Sequence, residues 1–153
     1  MRHLLRVAVA VMLMALTGVV SAQTAQDVAA LRERAEAGSA TAQFNLGVMY
    51  ANGRGVLQDD TQAVAWYRRA ADQGNANAQT SLGRMYQNGR GVPQDDVLAY
   101  MWFNLAASRL SGDDQEQYAE SRDTTSELLT PQQRADGQRM AREWQAAFEK
   151  RKQ

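Results

Sequence analysis

Residues 35–70 read AEAGSATAQFNLGVMYANGRGVLQDDTQAVAWYRRA, and residues 71–106 repeat this pattern without a gap as ADQGNANAQTSLGRMYQNGRGVPQDDVLAYMWFNLA. About 20 of the 36 aligned positions are identical. A repeat of this length is typical of stacked supersecondary units, which bury a continuous core between neighbours. The sequence therefore predicts an all-α solenoid, an architecture that offers an extended surface to a partner.

Each copy contains two helical segments separated by a glycine-rich loop. We predict the first helix over residues 40–51 and again over residues 76–87, with Ser39 and Asn75 as N-caps. We predict the second helix of the first copy over residues 60–73. The loop sequences NGRGVLQDD and NGRGVPQDD both end in aspartates that can cap this second helix.

Small and aromatic residues recur at helical spacing in both copies. Gly47 and Gly83 lie in the middle of a helix, which indicates that a neighbouring helix approaches too closely for a side chain. Asp59, Asp60, Thr61 and Gln62 also resemble a capping box. The residues predicted to face the core are Ala42, Leu46, Met49, Tyr50, Ala63, Trp66, Tyr67, Ala70 and Ala71, and Ala78, Leu82, Met85, Tyr86, Ala99, Trp102, Phe103, Ala106 and Ala107.

The segments outside the repeats predict three further helices. One covers residues 24–36; a polar helix, opened by Ser111, covers residues 112–129; the last runs from Pro131 to about Lys150. The last helix is expected to bury Ala135, Met140, Trp144 and Phe148. The predicted organisation is a signal peptide (1–22), an N-terminal capping helix (23–38), two repeats (39–74 and 75–110) and a degenerate C-terminal capping pair (111–153).

The first 22 residues have the features of a cleaved secretory signal. Arg2, His3 and Arg6 precede an apolar run, and small residues end it at Ala22. The run is shorter than the ~20 residues that span a bilayer comfortably. We therefore expect an exported, periplasmic or secreted protein with no membrane span after cleavage; an uncleaved anchor is the alternative.

Composition narrows the possible chemistry. The chain has no cysteine, and its single histidine, His3, lies in the expected signal. The rest of the chain therefore lacks the residues of a Ser–His or Cys–His nucleophile pair and of an ordinary zinc site. Two of the 17 basic residues, but none of the 17 acidic ones, precede position 23, so the remaining charge is about −2. This charge does not favour nucleic-acid binding. No cofactor, metal or catalytic residue is expected.

The repeated residues resemble the Sel1-like repeat (SLR) family, which is related to tetratricopeptide repeats. The resemblance rests on Ala42, Leu46, Gly47, Tyr50, Gly53, Gly55, Val56, Asp59, Ala63, Trp66, Ala70 and Ala71, and on their counterparts 36 positions later. It covers residues 35–107 and implies a right-handed α/α superhelix of stacked helix-turn-helix repeats that mediates protein–protein contacts. Some cysteine-rich exported relatives were described as binding or hydrolysing β-lactams, and this chain lacks their cysteines.

Three groups of residues have both a structural and a functional interpretation. The pairs Asp59–Asp60 and Asp95–Asp96 suit helix caps better than a metal or acid–base site. Trp66, Trp102, Tyr67 and Phe103 suit an inter-repeat core better than a stacking platform. The loop arginines Arg54 and Arg90 can bind an anion, remain in solvent or fold onto the opposing aspartates.

The positions that differ between the copies are the best candidates for binding. If the first helix of each pair lines the concave face, as in tetratricopeptide relatives, one stripe of that helix faces a partner. Phe44 and Val48 offer an apolar anchor, and Arg84 is the only full charge, so the stripe suits a peptide with one acidic group. An ordinary mixed surface is the alternative. The candidate partner-binding residues are Thr41, Phe44, Val48, Ala51, Asn77, Thr80, Arg84 and Gln87.

Three functions remain open from the sequence. The first is an adaptor that binds an unidentified protein or peptide. The second is a cell-envelope hydrolase acting on a β-lactam or peptidoglycan, although Ser81, Ser108 and Ser111 have no lysine near them in sequence. The third is a structural component that self-associates end to end. The residue inventory favours the adaptor.

Overall fold

The described residues form helices and the connections between them. The computed structural model describes residues 25–109 and 113–153; the expected signal segment and the Ser111 cap lie outside these ranges. Within them there are seven helices and no strands, as predicted. The helices are α1 (residues 25–36), α2 (Ala40–Asn52), α3 (Asp60–Asp72), α4 (Ala76–Asn88), α5 (Asp96–Ala107), α6 (Asp113–Glu127) and α7 (Pro131–Arg151).

The ends of the repeat helices are fixed by the residues that the sequence indicated. The side chains of Ser39 and Asn75 accept hydrogen bonds from backbone N–H groups in the first turns of α2 and α4. Gly53 and Gly89 end these helices with φ of 65° and 63°, a left-handed conformation that costs glycine little. Asp59 caps α3, and its counterpart in the second copy caps α5 in the same way.

The predicted capping box at α3 does not form. The Asp59 carboxylate accepts from the Gln62 backbone N–H at 3.0 Å, but the reciprocal bond from the Gln62 side chain is absent. The Asp59 backbone N–H donates instead to the carbonyl of Tyr50 at 2.9 Å. This bond ties the end of the loop to α2, so only the cap remains.

Close contact between the two helices of each hairpin explains the mid-helix glycines. A Cβ placed on Gly47 would lie 2.6 Å from the Tyr67 ring, and one on Gly83 would lie 2.5 Å from the Phe103 ring. These distances are too short for real carbon contacts, so an aromatic ring occupies the space that glycine leaves. Each hairpin is therefore closed by one glycine and one aromatic residue placed 20 positions later.

The predicted core residues are largely buried. Trp66 and Trp102 are 7% and 6% exposed, which confirms that they belong to the core. In the second copy Met85 and Tyr86 are buried, whereas their counterparts Met49 and Tyr50 are only partly covered. The second repeat is more deeply buried because it packs against α6 and α7 as well as against the first repeat.

Helix α1 matches the second helix of a repeat. Its sequence aligns with α3 at the same offset of 36, so that Val28 corresponds to Val64 and Ala35 to Ala71, and all four are buried. The buried alanines Ala63 and Ala70 are replaced in α1 by Asp27 and Arg34, which are exposed. This face of α1 is therefore not covered by any other helix within residues 25–109 and 113–153.

The loop of the second repeat joins the two repeats. A Cβ on Gly91 would lie 2.3 Å from the Asp60 carbonyl oxygen, so the loop lies directly on the start of α3. Next to it, the Arg90 guanidinium forms two bonds to the Asp60 carboxylate, at 2.8 and 3.1 Å, and one to the Ala51 carbonyl at 3.3 Å. Of the three interpretations of Arg90, the structure shows the pairing with an opposing aspartate.

The last two helices both pack on α5 and make little contact with each other. Helix α7 starts at a capping box between Thr130 and Gln133, as its sequence suggested. Its buried residues are Gly137, Ala141 and Phe148, with Met140 and Trp144 partly covered.

The expectation that Ala135 is buried was wrong, because it lies in solvent. Gly137 takes the close position: a Cβ there would lie 2.7 Å from the Tyr100 ring. The absence of a side chain at this point lets α7 approach α5.

Candidate functional site

The candidate partner-binding residues lie on α2 and α4, on a surface that we call the inner face and define as Thr41, Phe44, Val48, Ala51, Asn77, Thr80, Arg84 and Gln87. On α2 this surface is mainly apolar. Thr41 is exposed, whereas Phe44, Val48 and Ala51 are partly buried and pack against the core with part of each side chain accessible. The centres of the Phe44 and Tyr67 rings are 5.9 Å apart, so the two rings pack against each other.

On α4 the inner face is polar and meets helix α6. Asn77 accepts a hydrogen bond from the Tyr118 hydroxyl at 2.8 Å, and the Gln87 amide donates to the Thr125 hydroxyl at 3.2 Å. Thr80 is buried, and its hydroxyl donates to the Ala76 carbonyl, so it does not belong to the accessible surface. Arg84 is exposed.

Helix α6 forms one wall of a recess beside Arg84. The recess encloses about 230 Å³. Its lining residues are Arg84 and Gln87 from α4, Phe103 from α5, and Glu120, Ser121 and Thr124 from α6. The sequence did not point to the three α6 residues, because the polar sequence of that helix has no clear apolar stripe from which its orientation can be read.

The paired aspartates have structural roles. Asp59 and Asp95 cap helices, and Asp60 binds Arg90, so three of the four carboxylates are committed to the fold. The remaining one, Asp96, has one buried oxygen without a hydrogen-bond partner. No group of three or more His, Asp or Glu side chains within residues 25–109 and 113–153 is placed to hold a metal ion.

Two pKa values away from the inner face reflect burial. Burial raises the pKa of the Tyr67 hydroxyl above its ordinary value. Burial also lowers the pKa of Arg109, whose guanidinium lies 4.3 Å from the centre of the Phe148 ring and 5.1 Å from that of Trp144. Because Trp144 and Phe148 are stacked, Arg109 joins α5 to α7 by cation–π contact.

A pair of buried glutamines has a structural role that the sequence interpretation missed. The Gln43 amide donates to the Ala35 carbonyl at 3.0 Å, and Gln79 donates to the equivalent Ala71 carbonyl at 3.3 Å. Each bond fastens a repeat to the helix before it. The sequence contained a signal for this role, because the dipeptide Ala-Gln occurs at residues 42–43 and again at 78–79. A glutamine that is buried next to a core alanine needs a hydrogen-bond partner.

The described part of the chain contains no helix long and apolar enough to cross a membrane. Equivalent hydrogen bonds, donated by Gln43 and by Gln79 36 residues later, fasten the helical hairpins to the preceding helices. This arrangement defines an α/α repeat protein whose inner face lies on α2 and α4. The family profile of the Sel1 repeat matches residues 40–75 and 76–109. The chain belongs to the Sel1 repeat family.

Two solved structures resemble this chain. One is a Sel1 repeat protein from Oxalobacter formigenes, with 44% identity and a TM-score of 0.54; the match covers 59% of this chain and 68% of that one. The other is c5321, a protective antigen present in uropathogenic Escherichia coli strains that displays an SLR fold, with 36% identity and a TM-score of 0.73. That match covers 78% of this chain and 25% of c5321, so this chain spans about a quarter of its length. No curated protein matches the sequence.

Proposed function

We propose that this protein is an adaptor that binds another protein or a peptide through its inner face. The observation that carries the proposal is that the first helices of the two repeats leave Phe44 and Val48 partly accessible on α2 and the charge of Arg84 exposed at the equivalent surface of α4. An apolar anchor with a nearby arginine is the combination that dominates the energy of many protein interfaces. The partner expected here contributes an apolar side chain and an acidic group.

Substitution on the inner face tests this proposal. Phe44→Ala and Arg84→Glu are expected to weaken partner capture about tenfold each without unfolding the domain, because neither side chain is fully buried. A photoreactive residue at position 44 or 84 identifies the partner by cross-linking in cells. The affinity of the purified pair is then measured by calorimetry.

Matched controls separate the inner face from the rest of the surface. Leu57→Ala removes an exposed apolar side chain from a loop, and Arg142→Glu reverses an exposed charge on α7. Both are expected to leave capture unchanged. Equal capture by Phe44→Ala, Arg84→Glu and the two control variants would refute the proposal.

We also propose export to the periplasm or beyond, which rests on the basic start, apolar run and small residues of positions 1–22. The test is the mass of the protein purified from the envelope or medium. A mature chain that begins at Gln23 is the expected result, and a full-length chain in the cytoplasmic fraction contradicts it.

A non-catalytic role is part of the same proposal. Its support is the residue inventory beyond position 22, which contains neither cysteine nor histidine. The purified protein is expected to give no sustained turnover of the chromogenic β-lactam nitrocefin. Turnover that persists after repurification would favour the hydrolase alternative.

A further inference from the structure

Two hydrogen bonds link α4 and α6 on either side of the recess. The bond between Tyr118 and Asn77 bridges the two helices near the start of α4, and the bond between Gln87 and Thr125 bridges them near its end. Arg84 lies between these bridges on one wall. We call the recess between these two bridges the slot.

The second repeat differs from the first at two inner-face positions of α4, Thr80 and Arg84, of which only Arg84 lines the slot. In the first repeat, Phe44 covers the Tyr67 ring. The corresponding pair in the second repeat is Thr80 and Phe103, so a small side chain replaces a large one. Val48 is likewise replaced by Arg84, which brings a positive charge to the rim of the slot.

The two walls of the slot have opposite charges that are not neutralised by each other. Arg84 lies on α4 and Glu120 on α6, and both are exposed. None of the ion pairs among the described residues involves either of them. Gln87 uses its amide nitrogen to bind Thr125, and its carbonyl oxygen accepts no hydrogen bond from the described residues. The slot thus offers a cationic donor and an amide acceptor from α4, and a carboxylate from α6.

This charge pattern selects a dipolar occupant. A guanidinium binds a carboxylate with two parallel hydrogen bonds, whereas Glu120 and the Gln87 carbonyl suit an ammonium group. A ligand with only a carboxylate would be repelled by Glu120, and one with only an ammonium would be repelled by Arg84. A volume of about 230 Å³ is below the range of drug-sized pockets and suits a molecule of a few heavy atoms.

We infer that the slot is a binding site for a small zwitterion of the α-amino acid class. Its carboxylate binds Arg84, its ammonium binds Glu120 and the Gln87 carbonyl, and its side chain lies towards Phe103. Zwitterion binding and protein capture share Arg84, whereas Phe44 lies outside the slot, so Phe44→Ala tests protein capture alone.

The test measures binding of L-alanine and three analogues to the purified protein by saturation-transfer NMR and calorimetry. N-acetyl-alanine keeps only the carboxylate, alanine amide keeps only the ammonium, and N-acetyl-alanine amide has neither. Saturable binding is expected for alanine, with each singly charged analogue about tenfold weaker and the neutral one without binding. No saturable alanine binding, or equal binding of N-acetyl-alanine, would overturn the inference.

Variants assign the binding to the slot. Arg84→Gln and Glu120→Gln are each expected to weaken alanine binding about tenfold, and the charge-swapped double variant Arg84→Glu with Glu120→Arg is expected to restore it. Glu116→Gln, one turn earlier on α6 and outside the slot lining, is the matched control. Unchanged binding in both slot variants would also refute the inference. Loss of partner capture in Phe44→Ala with alanine binding intact distinguishes the two proposals.

Discussion

The two repeats share their internal contacts and differ where their neighbours differ. Both close a hairpin with a glycine against an aromatic ring, and both use the same caps. The first repeat lies between α1 and the second repeat, whereas the second also contacts α6 and α7. Identical positions thus maintain the hairpin, and divergent positions respond to the surroundings of each copy.

The buried glutamines illustrate this difference. Besides its bond to α1, Gln43 accepts a hydrogen bond from Gln73 at 2.7 Å, but the carbonyl oxygen of Gln79 is buried without a partner. The residue equivalent to Gln73 is Arg109, which binds Gln145 at 2.7 Å and stacks on α7 instead. Because Arg109 contacts α7, the second repeat lacks the hydrogen bond that Gln73 donates to Gln43 in the first repeat.

The largest effect is expected from filling the glycine space. Gly83→Ala places a methyl group 2.5 Å from the Phe103 ring, which is only 1% exposed and has little room to move. Overpacking of this kind outweighs the gain in helix propensity, so the free energy of unfolding should fall by about 2 kcal/mol. Urea unfolding measures it.

Gly47→Ala sharpens the comparison between the repeats. The Tyr67 ring beside Gly47 lies under the partly accessible Phe44, so we expect it to yield more easily and the loss to be about 1 kcal/mol. Asn45→Ala, at an exposed position of α2, is the control and should change stability by less than about 0.5 kcal/mol. A stabilised Gly83→Ala variant would contradict the close-contact explanation.

The next effect comes from the glutamines. Gln43→Met removes two hydrogen bonds and leaves the carbonyl of the buried Ala35 with only the Gly38 N–H as a donor, so it should cost about 2 kcal/mol. Gln79→Met removes one bond and also an oxygen that is already unpaired, so it should cost about 1 kcal/mol. Equal losses in urea unfolding would show that the bond from Gln73 contributes nothing.

The sequence predicted the hairpins and their core because both depend on contacts within one repeat. The spacing of Gly47 and Trp66 and the caps at Ser39 and Asp59 are local features that the second copy reproduces. The orientation of α7 was harder to predict, since Ala135 and Gly137 are both small and only contact with Tyr100 decides which one is buried.

For the candidate site, the sequence identified the α2 and α4 residues but not the environment that α6 gives them. The burial of Thr80 and the bonds of Asn77 and Gln87 depend on tertiary packing. The inner face was therefore predicted as one uniform stripe, and the structure divides it into an apolar part on α2 and a polar slot beside α6.

A smaller effect is expected from the aspartates at the start of α3 and α5. Asp60→Asn weakens the ion pair with Arg90, whose side chain is 47% exposed, so about 0.5 kcal/mol should be lost, and less in 1 M salt. Asp96→Asn removes no ion pair seen among the described residues and should change stability by less than about 0.3 kcal/mol. If Asp96→Asn lost more stability than Asp60→Asn, the result would contradict the stabilising role assigned to the Asp60–Arg90 ion pair.

The smallest effect concerns the two rings that face the glycines, Tyr67 and Phe103, since only Tyr67 can ionise. Burial raises its pKa above 10.0, so the folded state retains a proton that the unfolded state releases. Its contribution to stability is complete below pH 10 and is lost as the pH rises through the folded-state pKa.

Tyr67→Phe should therefore have a flatter stability profile between about pH 9 and 11, with a difference from the parent of a few tenths of a kcal/mol at the upper end. Urea unfolding at each pH measures the difference, with Tyr118→Phe on α6 as a less buried control. Parallel profiles for the parent and Tyr67→Phe would mean that the hydroxyl reaches solvent and that the ring beside Gly47 is less enclosed than its counterpart beside Gly83.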